Sequence, residues 1–188
     1  MKLRLKSCLG LLAFLLVVGS GISWADEDAP LVRMELAYSY ISDSGKVGYP
    51  MALPAGDSYS VALRITIASG YHINSDQPNS PDLIPTTLTL SAVDGISLEQ
   101  VEVPAPEQHM VRGEEQPWLV WDNQVVFTSS LHIDKDVKPG SYELVFNLTY
   151  QACDDQMCQM PTSERLKFLL QVVAPGQPSL PINDDAFK

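Results

Sequence analysis

Cys153 and Cys158, with four residues between them, are the pair in this 188-residue chain whose type and spacing could carry chemistry. They stand in Tyr150-Gln151-Ala152-Cys153-Asp154-Asp155-Gln156-Met157-Cys158-Gln159-Met160-Pro161, where one strand-like stretch ends and the next begins. The two thiols are therefore expected to face each other at the mouth of a hairpin. A bond closing a loop of about six residues stabilises through loop entropy by only roughly 2 kcal/mol. The same spacing supplies one accessible sulfur and a second able to resolve a mixed disulfide, which is what thiol–disulfide exchange needs. Short hairpin bridges are also common in secreted domains, so a structural bridge and a redox pair fit the motif equally. A third chemistry is open as well. Met157, Met160 and Met110 together with the cysteines offer thioether and thiolate, the ligands that Cu(I) prefers. His72, His109 and His132 fall in separate segments without ligand spacing and are expected to be ordinary surface or loop histidines, so no metal site is assigned. No nucleophile elbow, zinc-protease helix or phosphate loop is present.

Whether such a bond persists depends on the compartment. The chain begins with Lys2, Arg4 and Lys6, an apolar run from Cys8 to Val18, Gly19-Ser20-Gly21 and then the small residues Ser23 and Ala25. This is the pattern of a secretory signal peptide over residues 1–25, cleaved after Ala25. The run is shorter than the roughly 20 residues that cross a bilayer core. Cleavage removes Cys8 and delivers the remaining pair to an oxidising compartment, where a disulfide between them is the default. The 12 Lys and Arg against 23 Asp and Glu give a net charge of −11, which repels phosphate and excludes nucleic acid as a partner.

Elements that position the pair are read from periodicity. Tyr59, Val61, Leu63, Ile65 and Ile67 alternate with Ser60, Ala62, Arg64 and Thr66, which marks a half-buried strand. The same period recurs over Val32 to Tyr40, Val125 to Ile133 and Tyr142 to Tyr150. Shorter candidates are Thr86 to Val93, Leu98 to Val103 and Leu166 to Val173. Turn signals at Asp43-Ser44-Gly45, Asp94-Gly95 and Pro139-Gly140, with 14 prolines and no sustained helical period, point to an all-β chain. The expected fold is an immunoglobulin-like antiparallel β-sandwich spanning residues 26–173, followed by a Pro-rich C-terminal tail over 174–188. Two long connections, Gly70 to Pro85 and Pro104 to Trp121, are expected as loops, and loops of that length are often functional.

Three stretches together resemble the N-terminal periplasmic domain of DsbD-type thiol:disulfide interchange proteins. They are Gly70-Tyr71-His72-Ile73-Asn74-Ser75, Leu83-Ile84-Pro85-Thr86, and Tyr150-Gln151-Ala152-Cys153 with Cys158 and Pro161. The likeness extends from about Leu31 to Val173. It implies a periplasmic immunoglobulin-like domain that passes reducing equivalents from a thioredoxin-like donor to oxidised periplasmic proteins, with no cofactor beyond its cysteines. By the same likeness Cys158 forms the mixed disulfides and Cys153 resolves them. Trp118, with Glu114 and Glu115 before it, is the candidate cap over the cysteines, Trp121 is the alternative, and Tyr71 lines the site. The spacer between the cysteines is one residue shorter than in a familiar member of the family, and Gln116-Pro117 interrupts the family's contiguous acid-acid-aromatic order. The chain carries no membrane carrier or thioredoxin-like segment, so thioredoxin-like or membrane-embedded thiol–disulfide partners are expected in trans. An immunoglobulin-like interaction module with a structural disulfide and a Cu(I) carrier are the alternatives.

Overall fold

The computed structural model describes residues 30–36 and 51–176. The signal peptide over residues 1–25, the Asp43-Ser44-Gly45 turn and positions 177–188 of the tail lie outside the described residues, as do Tyr38 and Tyr40. No helix occurs among the described residues. The chain is an immunoglobulin-like β-sandwich.

Long alternating stretches become the long strands. In the first sheet β3 (Asp57–Ile67) pairs antiparallel with β1 (Val32–Leu36) and with β9 (Gln124–Ile133), which also carries β6 (Ile96–Leu98). In the second, β12 (Thr162–Val173) and β10 (Gly140–Tyr150) form the central hairpin, flanked by β5 (Thr87–Leu90) and by β2 (Met51–Pro54), which runs parallel to β12. Leu63, Ile65, Phe127 and Leu131 from one sheet and Leu144, Phe146, Leu148 and Leu170 from the other are almost fully buried in one core. Each is an odd-numbered residue of its strand on the first sheet and an even-numbered one on the second, as period two requires.

The two long connections are not loops throughout. Gly70 to Pro85 contains β4 (His72–Asn74), and Pro104 to Trp121 contains β7 (Glu107–His109) and most of β8 (Trp118–Asp122). With β11 (Ala152–Cys153) they build a third sheet, ordered β11-β4-β8-β7. Strands of two to five residues show no readable period, which is why they look like loops in the sequence. Of the candidate strand Leu98 to Val103 only Leu98, the last residue of β6, and a lone bridge between Glu102 and Thr128 are paired.

The third sheet grows out of the first. The β3–β9 ladder ends at Thr66↔Gln124 and resumes beyond a break as His72↔Asp122 in β4–β8. On one side the chain passes through a turn closed by the Tyr71 N–H donating to the Ala68 carbonyl, with Gly70 at φ 82°, a left-handed value that glycine adopts without a Cβ penalty, and then continues along the ladder. On the other side Asn123, at φ 52°, makes the break, and its carbonyl accepts from the Ile67 N–H.

Phe127 is the ring at the junction of these sheets, packed edge-on against Trp121 at 5.0 Å. Phe127→Ala is expected to lower the unfolding free energy by about 3–5 kcal/mol through the cavity it leaves. Urea denaturation with the disulfide intact checks this, and a loss too small to shift the midpoint would count against it.

Candidate functional site

The hairpin tip between β10 and β12 leaves the second sheet and crosses to the third. Tyr150↔Thr162 is the last pair of the hairpin, and two residues later Ala152 and Cys153 pair with Ile73 and His72 of β4. The Asp154 N–H donates to the Met157 carbonyl and the Gln159 N–H to the Ala152 carbonyl, so Cys153 and Cys158 face each other as a bridge without hydrogen bonds of its own. Such positions bring opposite residues closest together. Here the Cα atoms are 3.9 Å apart, and the two sulfurs are bonded. Cys153 is fully buried, whereas Cys158 is partly exposed.

Asp154 shapes the turn inside the disulfide. Its Oδ1 accepts from the N–H groups of Gln156 at 2.7 Å and Met157 at 2.8 Å. The Met157 and Gln156 bonds hold this carboxyl below its usual range. Gln151, just before the cysteines, ties the tip to its surroundings. Its Oε1 accepts from Asn74 Nδ2 and from the Ile84 N–H, both at 3.2 Å, and its Nε2 donates to the Gln159 carbonyl. Asn74 Nδ2 also donates to the Ile84 carbonyl, and Thr86 Oγ1 to the Asn74 carbonyl at 2.6 Å. The three stretches that carry the sequence resemblance are thus sewn to one another by side-chain amides.

Side-chain alternation sorts the third sheet into two faces. Ala152, Ile73 and Trp121, in adjacent register, point into the common core. Cys153, His72 and Asp122 occupy the opposite face in a row, and Trp118 and His109, paired across β8 and β7, lie on that same face. Trp118 and Trp121 are three residues apart on one strand, so they cannot share a face. Trp121 is buried, stacks on Phe127 and donates its Nε1–H to the Pro104 carbonyl. It is a core residue and not a shield. Trp118 is partly exposed and meets the His72 ring edge-on at 6.3 Å.

The other site expectations disperse. Glu114 and Glu115 are exposed beyond the turn that the Glu114 N–H closes onto the Val111 carbonyl. Tyr71 packs partly buried against the hydrophobic core. The segment of this connection beside the cysteine turn is instead His109 to Arg112, which forms a depression with Asp155 and Gln156. Met110, Met157 and Met160 are all exposed, and among the described residues no group of three or more His, Cys, Asp and Glu is disposed to hold a metal ion.

The histidines depart from expectation. His72 is only 3% exposed, with its Nε2 buried and without a hydrogen-bond partner. Its ring stacks on His109 at 4.5 Å, and His109 Nε2 lies 3.2 Å from Asp155 Oδ1 inside the cysteine turn. Burial, then the neighbouring His109, push the His72 pKa down, against the opposing pull of Asp155, Asp122 and Asp154. His132, by contrast, lies on β9 away from this sheet, near Ser58 and Asp134. The residues that sequence reasoning missed are His72 and His109, 37 positions apart. The only signal was that His72 stands inside a stretch of the resemblance.

Residues 44–170 match the family described as "Thiol:disulfide interchange protein DsbD, N-terminal". Among solved structures, the chain is similar to the reduced DsbD N-terminal domain of Neisseria meningitidis, at 17% identity and TM-score 0.39, over 58% of this chain and 75% of that one. It is also similar to the N-terminal periplasmic domain of ScsB from Proteus mirabilis, at 18% identity and TM-score 0.45, over 63% of this chain and 43% of that one. A family 123 glycoside hydrolase from Clostridium perfringens aligns at 11% identity and TM-score 0.34, over 79% of this chain and 28% of that one. No curated protein matches the chain.

His72 binds a proton less readily when folded than when unfolded. Its contribution to stability is therefore complete above the ordinary imidazole value of 6.5 and is lost as pH falls below it. His72→Phe should flatten that acid arm in unfolding midpoints measured across it; an unchanged slope would assign the arm to other groups. Trp118→Ala should speed alkylation of the reduced protein by small reagents severalfold, and an unchanged rate would deny the ring a covering role.

Proposed function

Because the chain belongs to the DsbD N-terminal family of thiol:disulfide interchange proteins, we propose that it carries reducing equivalents between a thioredoxin-like donor and oxidised periplasmic proteins through Cys153 and Cys158. Thiol–disulfide interchange is the business of the family. Its domains are periplasmic and meet thioredoxin-like proteins in trans. Residues 1–25 are read as the export signal, 26–173 as the interchange domain and 174–188 as a tail.

The single observation that supports this reading best is the asymmetry of the disulfide: one cysteine partly exposed at a hairpin tip, the other fully buried. Exchange requires a thiolate to reach one sulfur along the bond axis while the other leaves. In the proposed step a donor thiolate attacks Cys158 Sγ, the Cys158–Cys153 bond breaks, and its electron pair stays on Cys153 Sγ. A second donor thiol then displaces Cys158, leaving the donor oxidised and both cysteines reduced. With an oxidised acceptor the sequence reverses, Cys158 attacking and Cys153 resolving.

Around the pair, Trp118 is read as the cover that limits access to small thiols. Glu114, Glu115 and Tyr71 are assigned to the periphery of the site. The hairpin tip is short and its turn is held by Asp154, so the attack geometry at Cys158 does not depend on ordering a long loop.

Cys158→Ser should abolish electron exchange with reduced thioredoxin while the folded signal persists. Cys153→Ser, offered an oxidised acceptor disulfide, should instead accumulate a mixed disulfide through Cys158 as the acceptor's other sulfur leaves as a thiol, detected by intact mass. Exchange that survives in Cys158→Ser would overturn the assignment.

A further inference from the structure

One residue in this site has no structural explanation from packing. His72 is 3% exposed and its Nε2 has no hydrogen-bond partner, an arrangement that is costly relative to a satisfied group. A phenylalanine or leucine would fill a buried position without that cost. The stacked His109 does not relieve it, because His109 directs its own Nε2 to Asp155. What singles out the position is its register. His72 is the direct partner of Cys153 across β4 and β11, and residues so paired project side by side from one face of a sheet.

Opening the disulfide creates a matching need. When Cys158 is attacked, the electron pair of the broken bond goes to Cys153 Sγ, which is fully buried. A buried anion without water or a hydrogen bond is costly, and here no Lys or Arg belongs to the third sheet to offset it. The groups facing the imidazole are His109 from β7, Asp122 and Trp118 from β8, and Asp154 and Asp155 from the cysteine turn.

We propose that His72 is the positioning residue that receives the Cys153 sulfur when the disulfide opens, its unpartnered Nε2 forming with that sulfur a hydrogen bond absent from the closed state. The proposal rests on exchange through Cys158 as read above. As the bond breaks, one proton from water is taken up and shared between Nε2 and Cys153 Sγ, balancing the electron pair left there. In the reverse direction the Cys153 thiol gives that proton to the imidazole as its sulfur attacks the mixed disulfide, and the partner leaves Cys158 with the electron pair of the broken bond. Burial and His109 keep the imidazole neutral while the disulfide is closed, and a negative sulfur beside it reverses that preference. Thiol and imidazole then titrate as one pair. The reduced protein is selectively stabilised, and the disulfide is easier to reduce than its burial alone would make it.

Equilibration of the unmodified chain, His72→Phe and His72→Gln in graded glutathione buffers near neutral pH, read by thiol trapping and mass, tests this. His72→Phe should lower the equilibrium constant for reduction about tenfold, which is about 30 mV for a two-electron couple. His72→Gln, which keeps a hydrogen-bonding end, should recover part of that loss, an effect that packing alone does not produce. In the unmodified chain the His72 ring resonances, followed by NMR, should titrate at higher pH after reduction than before it; this measurement stands even if a variant fails to fold. An unchanged equilibrium constant in folded His72→Phe, or the same titration midpoint in both redox states, overturns the proposal. Neither measurement involves thioredoxin, so failure of the carrier reading, seen as exchange that survives Cys158→Ser, is detected separately.

Discussion

Cys153 and His72 face each other across strands of two and three residues, too few to hold together through their own hydrogen bonds. What holds them is the reverse side of the same strands. Ala152, Ile73 and Trp121 are buried in the core that the two larger sheets share, and each is the chain neighbour of a residue on the chemical face. Burying three such side chains contributes several kcal/mol, on the order of 1.5–3 kcal/mol for each large apolar one. Because successive residues alternate sides, anchoring one face fixes the register of the other. A slip by one residue would turn the cysteine inward and the tryptophan out.

Polar contacts then set the finer geometry. Gln151 satisfies groups from Asn74, Ile84 and the far arm of the hairpin at once, so the cysteine tip, β4 and the Leu83–Thr86 segment move as a unit. Asp154 takes over the job of a backbone carbonyl within the turn. The His109–Asp155 contact lies at the surface and stabilises little by itself. Its consequence is positional, since it lays the β7 connection against the disulfide turn. The result is a disulfide in which Cys153 is fully buried and Cys158 partly exposed, the asymmetry that a two-sulfur exchange centre uses.

Family membership and this geometry bear on different levels. The family match assigns interchange chemistry as a class. Which groups tune it in this chain is a matter of the third sheet, whose outer face carries two histidines, one tryptophan and an aspartate beside the cysteines. The strongly acidic composition adds a net charge of −11. That charge favours partners with a complementary basic surface and keeps like molecules apart.

Much was legible in the sequence, and for a definite reason. Period two over nine or more residues is a local property, so β3, β9 and β10 and their buried faces follow from the order of apolar side chains alone, and the shorter candidate Leu166 to Val173 falls within β12. The cysteine pair, its hairpin setting and the resemblance are likewise carried by contiguous residues. The third sheet was not legible. His72, His109, Trp118 and Cys153 come from four short strands whose periods cannot be read, and they meet only through pairings between residues many positions apart. Nor could composition choose between Trp118 and Trp121, because strand parity matters only once one face is known to rest on the core. Local alternation determined the strands and the cysteine hairpin; the tertiary register, a non-local consequence of burying Ile73, Trp121 and Ala152, decided what stands beside the disulfide.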